Sequence, residues 1–254
     1  MSLRQIAAQR PVLAAVLCAG LQFLITGLII QAGIAFAPAA AFGKVKLVAF
    51  ASTVIFPLAM AQALGLWRQV GLEWSKARPG HVFFASMLLC VLFASMGFHA
   101  NDQHPFAPEV LIQFINAFGE ELLFRGVIFA ILLSLPRWQA IVISGVLFGA
   151  MHLMHGFMDG NWNHAMWWAA ATCLSGAMFA AVRYGTGSLW LVIVLHMVLN
   201  LCKIYSNIEF AAGPNALLIA ERVAYGFEIA LTAYVIFMGS AREKLVQVRS
   251  ASVQ

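Results

Sequence analysis

The chain has 254 residues, of which 62% are hydrophobic and only 10% charged, and its mean hydropathy is +0.87. A soluble domain carries about a quarter charged residues, so this chain has too few to coat a globule of its size. A cytosolic enzyme, a disordered chain and a nucleic-acid binder are excluded, although 15 Lys and Arg against 10 Asp and Glu leave a net charge of +5. That basic excess suits the cytoplasmic side of a polytopic membrane protein.

At about 20 residues per span, the length predicts an all-α polytopic membrane protein, with residues 1–254 forming a single membrane domain. In chain order the predicted spans are 12–36, 47–66, 82–99, 109–134, 138–157, 164–182, 188–206 and 216–238, eight helices in all. The breakers between them are Lys44 and Lys46, Arg68 through Pro79-Gly80, Asn101 to Pro108, Pro136-Arg137, Asp159-Gly160, Tyr184-Gly185 and Gly213-Pro214. Continuous apolar runs, rather than alternating ones, argue against a β-barrel. Arg4 and Arg10 before the first run imitate a signal peptide, but the run continues to Ala37 and reads as a retained span. Cys18, Cys90, Cys173 and Cys202 sit in apolar runs without paired spacing, which predicts inert buried thiols.

Positive charge sets the expected orientation. Ten Lys and Arg fall in the N-terminus, the even-numbered loops and the C-terminal tail, against Lys44 and Lys46 in the first loop and Lys203 at the end of the seventh span beside the last odd-numbered loop. Both termini are therefore expected in the cytoplasm, with the chain in the plasma membrane of a bacterium. The tail from Arg242 to Arg249 reads as a solvated anchor at an anionic leaflet.

A charge at mid-membrane costs about 2.5–3.5 kcal/mol on insertion scales, so such residues are paired or functional. The fourth span carries Glu120, Glu121 and Arg125. Glu121 and Arg125 share a helical face at i and i+4 and can neutralise one another. Glu120 points about 100° away, from the 3.6-residue period, and must face a cavity, meet a partner on another helix or be protonated. The fifth span supplies Phe148 and His152 and the seventh His196 and Asn200, each pair again at i and i+4. Gly145 and Gly149 form a small-xxx-small pattern that lets helices approach closely. Any one of these residues has a bland reading, the ion pair as structure or the His as packing. Their convergence on three apolar spans does not. His81, His99, His104, His155 and His164 lie near span ends and read as incidental; Trp162, Trp167 and Trp168 read as an aromatic belt or as the lining of a substrate entrance.

Glu120-Glu121-x-x-x-Arg125, then Phe148-x-x-x-His152, then His196-x-x-x-Asn200, in this order on separate spans, resembles the CPBP family of CAAX-protease and bacteriocin-processing (Abi) intramembrane endopeptidases. The resemblance covers residues 109–206, which would form the catalytic core. It implies an eight-helix bundle that hydrolyses a peptide bond in a membrane-associated protein or peptide. By that resemblance Glu120 and His152 activate the attacking water, His196 and Asn200 hold the oxyanion, and Glu121 and Arg125, with Phe148, support the site. The residue chemistry agrees: a desolvated, unpaired carboxylate suits a general base, and a neutral imidazole and a carboxamide suit donors to an oxyanion. No serine or cysteine sits with a base in a comparable pattern, which disfavours a covalent route.

The resemblance leaves a metal open. If Zn²⁺ is bound, Glu120, His152 and His196 are its expected ligands, with one position left for water; a metal-free, glutamate-dependent site is the favoured expectation, since no H-E-x-x-H occurs. The expected partners are the lipid bilayer and a membrane-associated peptide or protein substrate, with no nucleic acid. That substrate is a prenylated CAAX tail, a bacteriocin leader or another membrane-proximal peptide; the sequence does not choose. Two other functions compete: a non-catalytic membrane scaffold, and a small proton-coupled transporter, against which stands the lack of repeat symmetry.

Overall fold

The computed structural model describes residues 3–74, 77–101 and 104–251, and the regular structure among these is helical throughout. A short α1 (Leu3–Gln9) precedes a long helical hairpin, α2 (Pro11–Phe36) and α3 (Phe42–Leu64), joined by a turn of 3₁₀ helix at Ala39–Ala41. The one-turn α4 (Trp67–Val70) follows, then α5 (His81–Ser86) and α6 (Leu88–Ala94). The next span is a composite of α7 (Phe106–Glu121), a π-helical segment (Leu122–Ile128) and α8 (Phe129–Leu132). After it come α9 (Arg137–Met151), the short α10 (Met154–Asp159), α11 (Trp162–Thr186), α12 (Leu189–Tyr205), α13 (Ile208–Ala212) and the terminal α14 (Pro214–Ala251).

Each of the eight predicted spans corresponds to a helical stretch. Four helices are individually long and apolar enough to cross a bilayer: Pro11–Phe36, Phe42–Leu64, Arg137–Asp159 and Trp162–Thr186. Two shorter apolar stretches, His81–Ala94 and Leu189–Tyr205, accompany them. The protein is an integral, multi-pass membrane protein with an all-α fold. Three spans depart from a plain helix. The third is divided at Met87, the fourth widens to a π-helix, and the fifth breaks after Met151, so that His152 caps a helix end rather than lying within one. The side chains of the basic tail, Arg242 to Arg249, lie outside the described residues, as does Lys76.

The core is organised around the π segment, where all seven residues from Leu122 to Ile128 are buried. Helices α3, α9, α11 and α12 surround it, α7 packs along α12, and α14 lies against α11. Gly145 and Gly149 explain how tightly α9 meets α11. A Cβ on Gly145 would stand 2.7 Å from the Ala177 backbone nitrogen, and one on Gly149 would overlap Cys173 Sγ and the Ala169 carbonyl. Small residues thus bring two helix backbones into contact where lipid offers no hydrophobic drive to do so. Cys18, Cys90 and Cys202 are buried free thiols; Cys173 is only half-buried.

Candidate active site

The site is assembled around Arg125. Its guanidinium is fully buried, and a buried charge must be paired and hydrogen-bonded to persist. Nη1 donates to Glu121 Oε1 at 3.1 Å, one turn back on the same composite span, and both side chains are inaccessible. Nη2 donates to the backbone carbonyl of Gly176 on α11 at 2.8 Å. Three aromatic rings close around the cation, with Cζ at 4.2 Å from the Phe148 centroid, 5.4 Å from Phe179 and 5.9 Å from Phe124. Such contacts strengthen when desolvated. A side chain at Gly176 would press into Phe148 and the guanidinium, at 2.9 and 3.1 Å respectively, so glycine makes room for the cation. The π turn that carries Arg125 is itself anchored where Ser144 Oγ on α9 donates to the Phe124 carbonyl at 3.2 Å. Widened turns of this kind recur at functional sites.

His196, on α12, connects the two glutamates. Its Nδ1 lies 2.7 Å from Glu121 Oε1, and its Nε2 lies 3.8 Å from Glu120 Oε2. The ring stacks on Phe179, with centroids 4.8 Å apart and planes 27° apart. Glu120 therefore meets its partner on another helix, and its side chain remains 23% exposed where that of Glu121 is wholly buried. The geometry refines the expected role of a neutral imidazole. A carboxylate beside Arg125 can only accept, so His196 carries a proton on Nδ1. A neutral ring then presents a lone pair at Nε2, and only the doubly protonated ring donates from both nitrogens.

His152 sits apart from this charge cluster but is tied to it through Phe148. Its Nδ1 lies 2.9 Å from the Phe148 carbonyl, and the two rings meet edge-on at 4.8 Å. A carbonyl accepts only, so Nδ1 carries a proton, and in the neutral ring Nε2 presents a lone pair. Break and bond are one feature: where α9 stops, the imidazole satisfies a terminal carbonyl. His155 stacks on His152 at 6.2 Å and lies edge-on to Trp168 at 6.1 Å, so it adjoins the site rather than being incidental.

Asn200 lies one turn beyond His196 and has a different attachment. Its Nδ2 donates to Gln113 Oε1 on α7 at 2.9 Å. Gln113 Nε2 in turn donates to Glu109 Oε1 at 2.7 Å, and Glu109 Oε2 meets His104 Nδ1 at 2.9 Å. The Tyr205 hydroxyl fastens the His104 backbone by donating to its carbonyl at 2.6 Å. Gln113 and Glu109 were missed from sequence, and His104 was set aside, yet a signal was present. Glu109, Gln113, Asn116 and Glu120 follow the helical period and share one face of α7.

The zinc alternative requires Glu120, His152 and His196 to converge as ligands. Among the described residues no three His, Cys, Asp or Glu side chains form a group able to hold a metal ion. His196 Nδ1 is engaged by Glu121 and His152 Nδ1 by a carbonyl, which leaves Nε2 of each ring as the nitrogen that could ligate, and Glu120 Oε2 lies 3.8 Å from His196 Nε2.

A multi-pass helical membrane protein with glutamate, histidine and arginine buried together in its core defines the class. Residues 102–202, which hold all three motifs, match a family model described as Rce1-like, type II CAAX prenyl endopeptidase, and over this segment the chain is similar to the CAAX-protease (CPBP) family. That family is one of CAAX-type intramembrane endopeptidases. No curated protein matches the chain.

Proposed function

We propose that the protein hydrolyses a peptide bond of a membrane-associated substrate with water activated by Glu120, without a metal. The observation that carries this reading is the unequal treatment of two adjacent carboxylates. Glu121 is buried and committed to Arg125 and His196, whereas Glu120 is partly open and makes the longer 3.8 Å approach to His196. Unequal environments are how neighbouring acids take separate roles. Glu120 accepts a proton from water as the oxygen attacks the scissile carbonyl carbon. His152, through Nε2 of its neutral ring, accepts a hydrogen bond from the second water hydrogen and so orients the nucleophile. His196, protonated on both nitrogens, and Asn200 Nδ2 donate to the oxyanion. As the carbon–nitrogen bond breaks, Glu120 returns its proton to the leaving amine. With His196 charged, two carboxylates and two cations balance, which suits a desolvated setting.

A prenylated CAAX tail is the substrate class the family description favours. The test compares new protein N-termini in membranes from cells expressing wild type or Glu120→Gln at matched levels. Cleavage products are expected with wild type only, a loss of about 10²-fold or more, in keeping with removal of a general base. Identical profiles from two folded, abundant proteins would return the cluster to a scaffold role. Purified protein is expected to retain activity after chelation; loss on chelation with rescue by zinc would overturn the metal-free reading.

A further inference from the structure

We infer that Gln113 and Glu109 are positioning residues that fix the Asn200 carboxamide with its nitrogen available as a donor. The inference rests on the proposed role of Asn200 at the oxyanion.

An amide side chain has two nearly isosteric ends, and only its neighbours decide which end faces where. Here the decision begins at Glu109. A carboxylate has no hydrogen to give, so Gln113 must turn Nε2 toward it, as it does at 2.7 Å. Gln113 then has only Oε1 to show to α12, and Asn200 must answer with Nδ2, as it does at 2.9 Å. The opposite flip would set acceptor against acceptor at one link of the chain. The Asn200 nitrogen has two hydrogens, and the bond to Gln113 uses one; the second is left for a developing oxyanion. The polarity is held at its far end, where Glu109, only 6% exposed, is also engaged by His104. A partly buried, directional chain of this kind orients a donor before substrate arrives, which is what oxyanion stabilisation requires.

The test uses Gln113→Met, close in shape but without an amide, alongside Asn200→Ala and the double variant. Full-length protein in proteoliposomes is assayed with a fluorogenic farnesylated CAAX peptide, and thermal midpoints are measured on the same preparations. Gln113→Met is expected to lower kcat by about 10- to 100-fold with KM within about twofold, in the range for weakening one oxyanion donor. The double variant should be no slower than Asn200→Ala, since Gln113 acts only through that residue. An unchanged kcat for Gln113→Met, or single losses that multiply in the double variant, would overturn the inference. If wild type leaves the peptide intact, the substrate reading falls on its own. The thermal midpoints then decide: a double shift smaller than the sum of the single shifts supports the Gln113–Asn200 linkage, and additive shifts refute it.

Discussion

The hairpin of α2 and α3 is more apolar in sequence than the bundle formed by α7, the π segment, α9, α11 and α12, and the two are built on different principles. The hairpin turns much of its apolar surface outward, with Leu24, Leu28 and Phe36 at 60%, 69% and 88% exposure. Its polar residues stay close to home, as where Gln22 donates to Thr26 and to Ser52. The bundle encloses Glu121, Arg125 and His196 and ties each across helices or along its own span. Lipid solvates the hairpin's side chains as well as protein would, so sequence there needs only hydrophobicity. In the bundle every buried charge needs a particular partner in a particular place.

The largest effect that should separate the two regions comes from Arg125→Met, which breaks the buried pair and leaves Glu121 with His196 as its remaining partner. A loss of about 3–5 kcal/mol is expected for such a broken pair, visible as loss of folded, monodisperse protein after detergent extraction. Combining it with Glu121→Gln should recover part of that loss, and no recovery would mean the cation's aromatic seat matters more than the pair. Gly149→Ala comes next. Its Cβ must displace Cys173 or the Ala169 carbonyl, and about 1–3 kcal/mol is expected for overpacking, read as a lowered thermal midpoint. Leu28→Ala on the hairpin's outer face should move that midpoint by no more than about 0.5 kcal/mol equivalent. A larger shift would show that this face meets protein rather than lipid.

The same contrast explains how much could be read from the amino acids. A helical stretch at each of the eight predicted spans was legible because a bilayer demands long apolar runs with their backbone bonds satisfied internally. The Glu121–Arg125 pair was legible because i and i+4 meet on any helix. The link from His196 to both glutamates was not, since nothing local to α12 says which helix it faces. Nor was the π turn, because a wide turn and an ordinary one draw on the same apolar residues. The break at His152 was hidden for a related reason: apolar composition continues through it, and only the imidazole-to-carbonyl bond marks the end. Gln113 lay within reach of periodicity, since it shares a helical face with Glu109 and Glu120, but that stripe starts at the first residue of the predicted span, where apolar composition alone gives it no emphasis.

Arg125 has one partner on α11 that no exchange of side-chain chemistry there can delete, the main-chain carbonyl of Gly176. Mutational tolerance at that position should therefore be graded by bulk alone. Each substituent enters the space held by Phe148 and the guanidinium, while the acceptor itself survives every replacement. The anchor of the buried cation is in this sense written into the path of the chain, and drift along α11 can crowd it but cannot erase it.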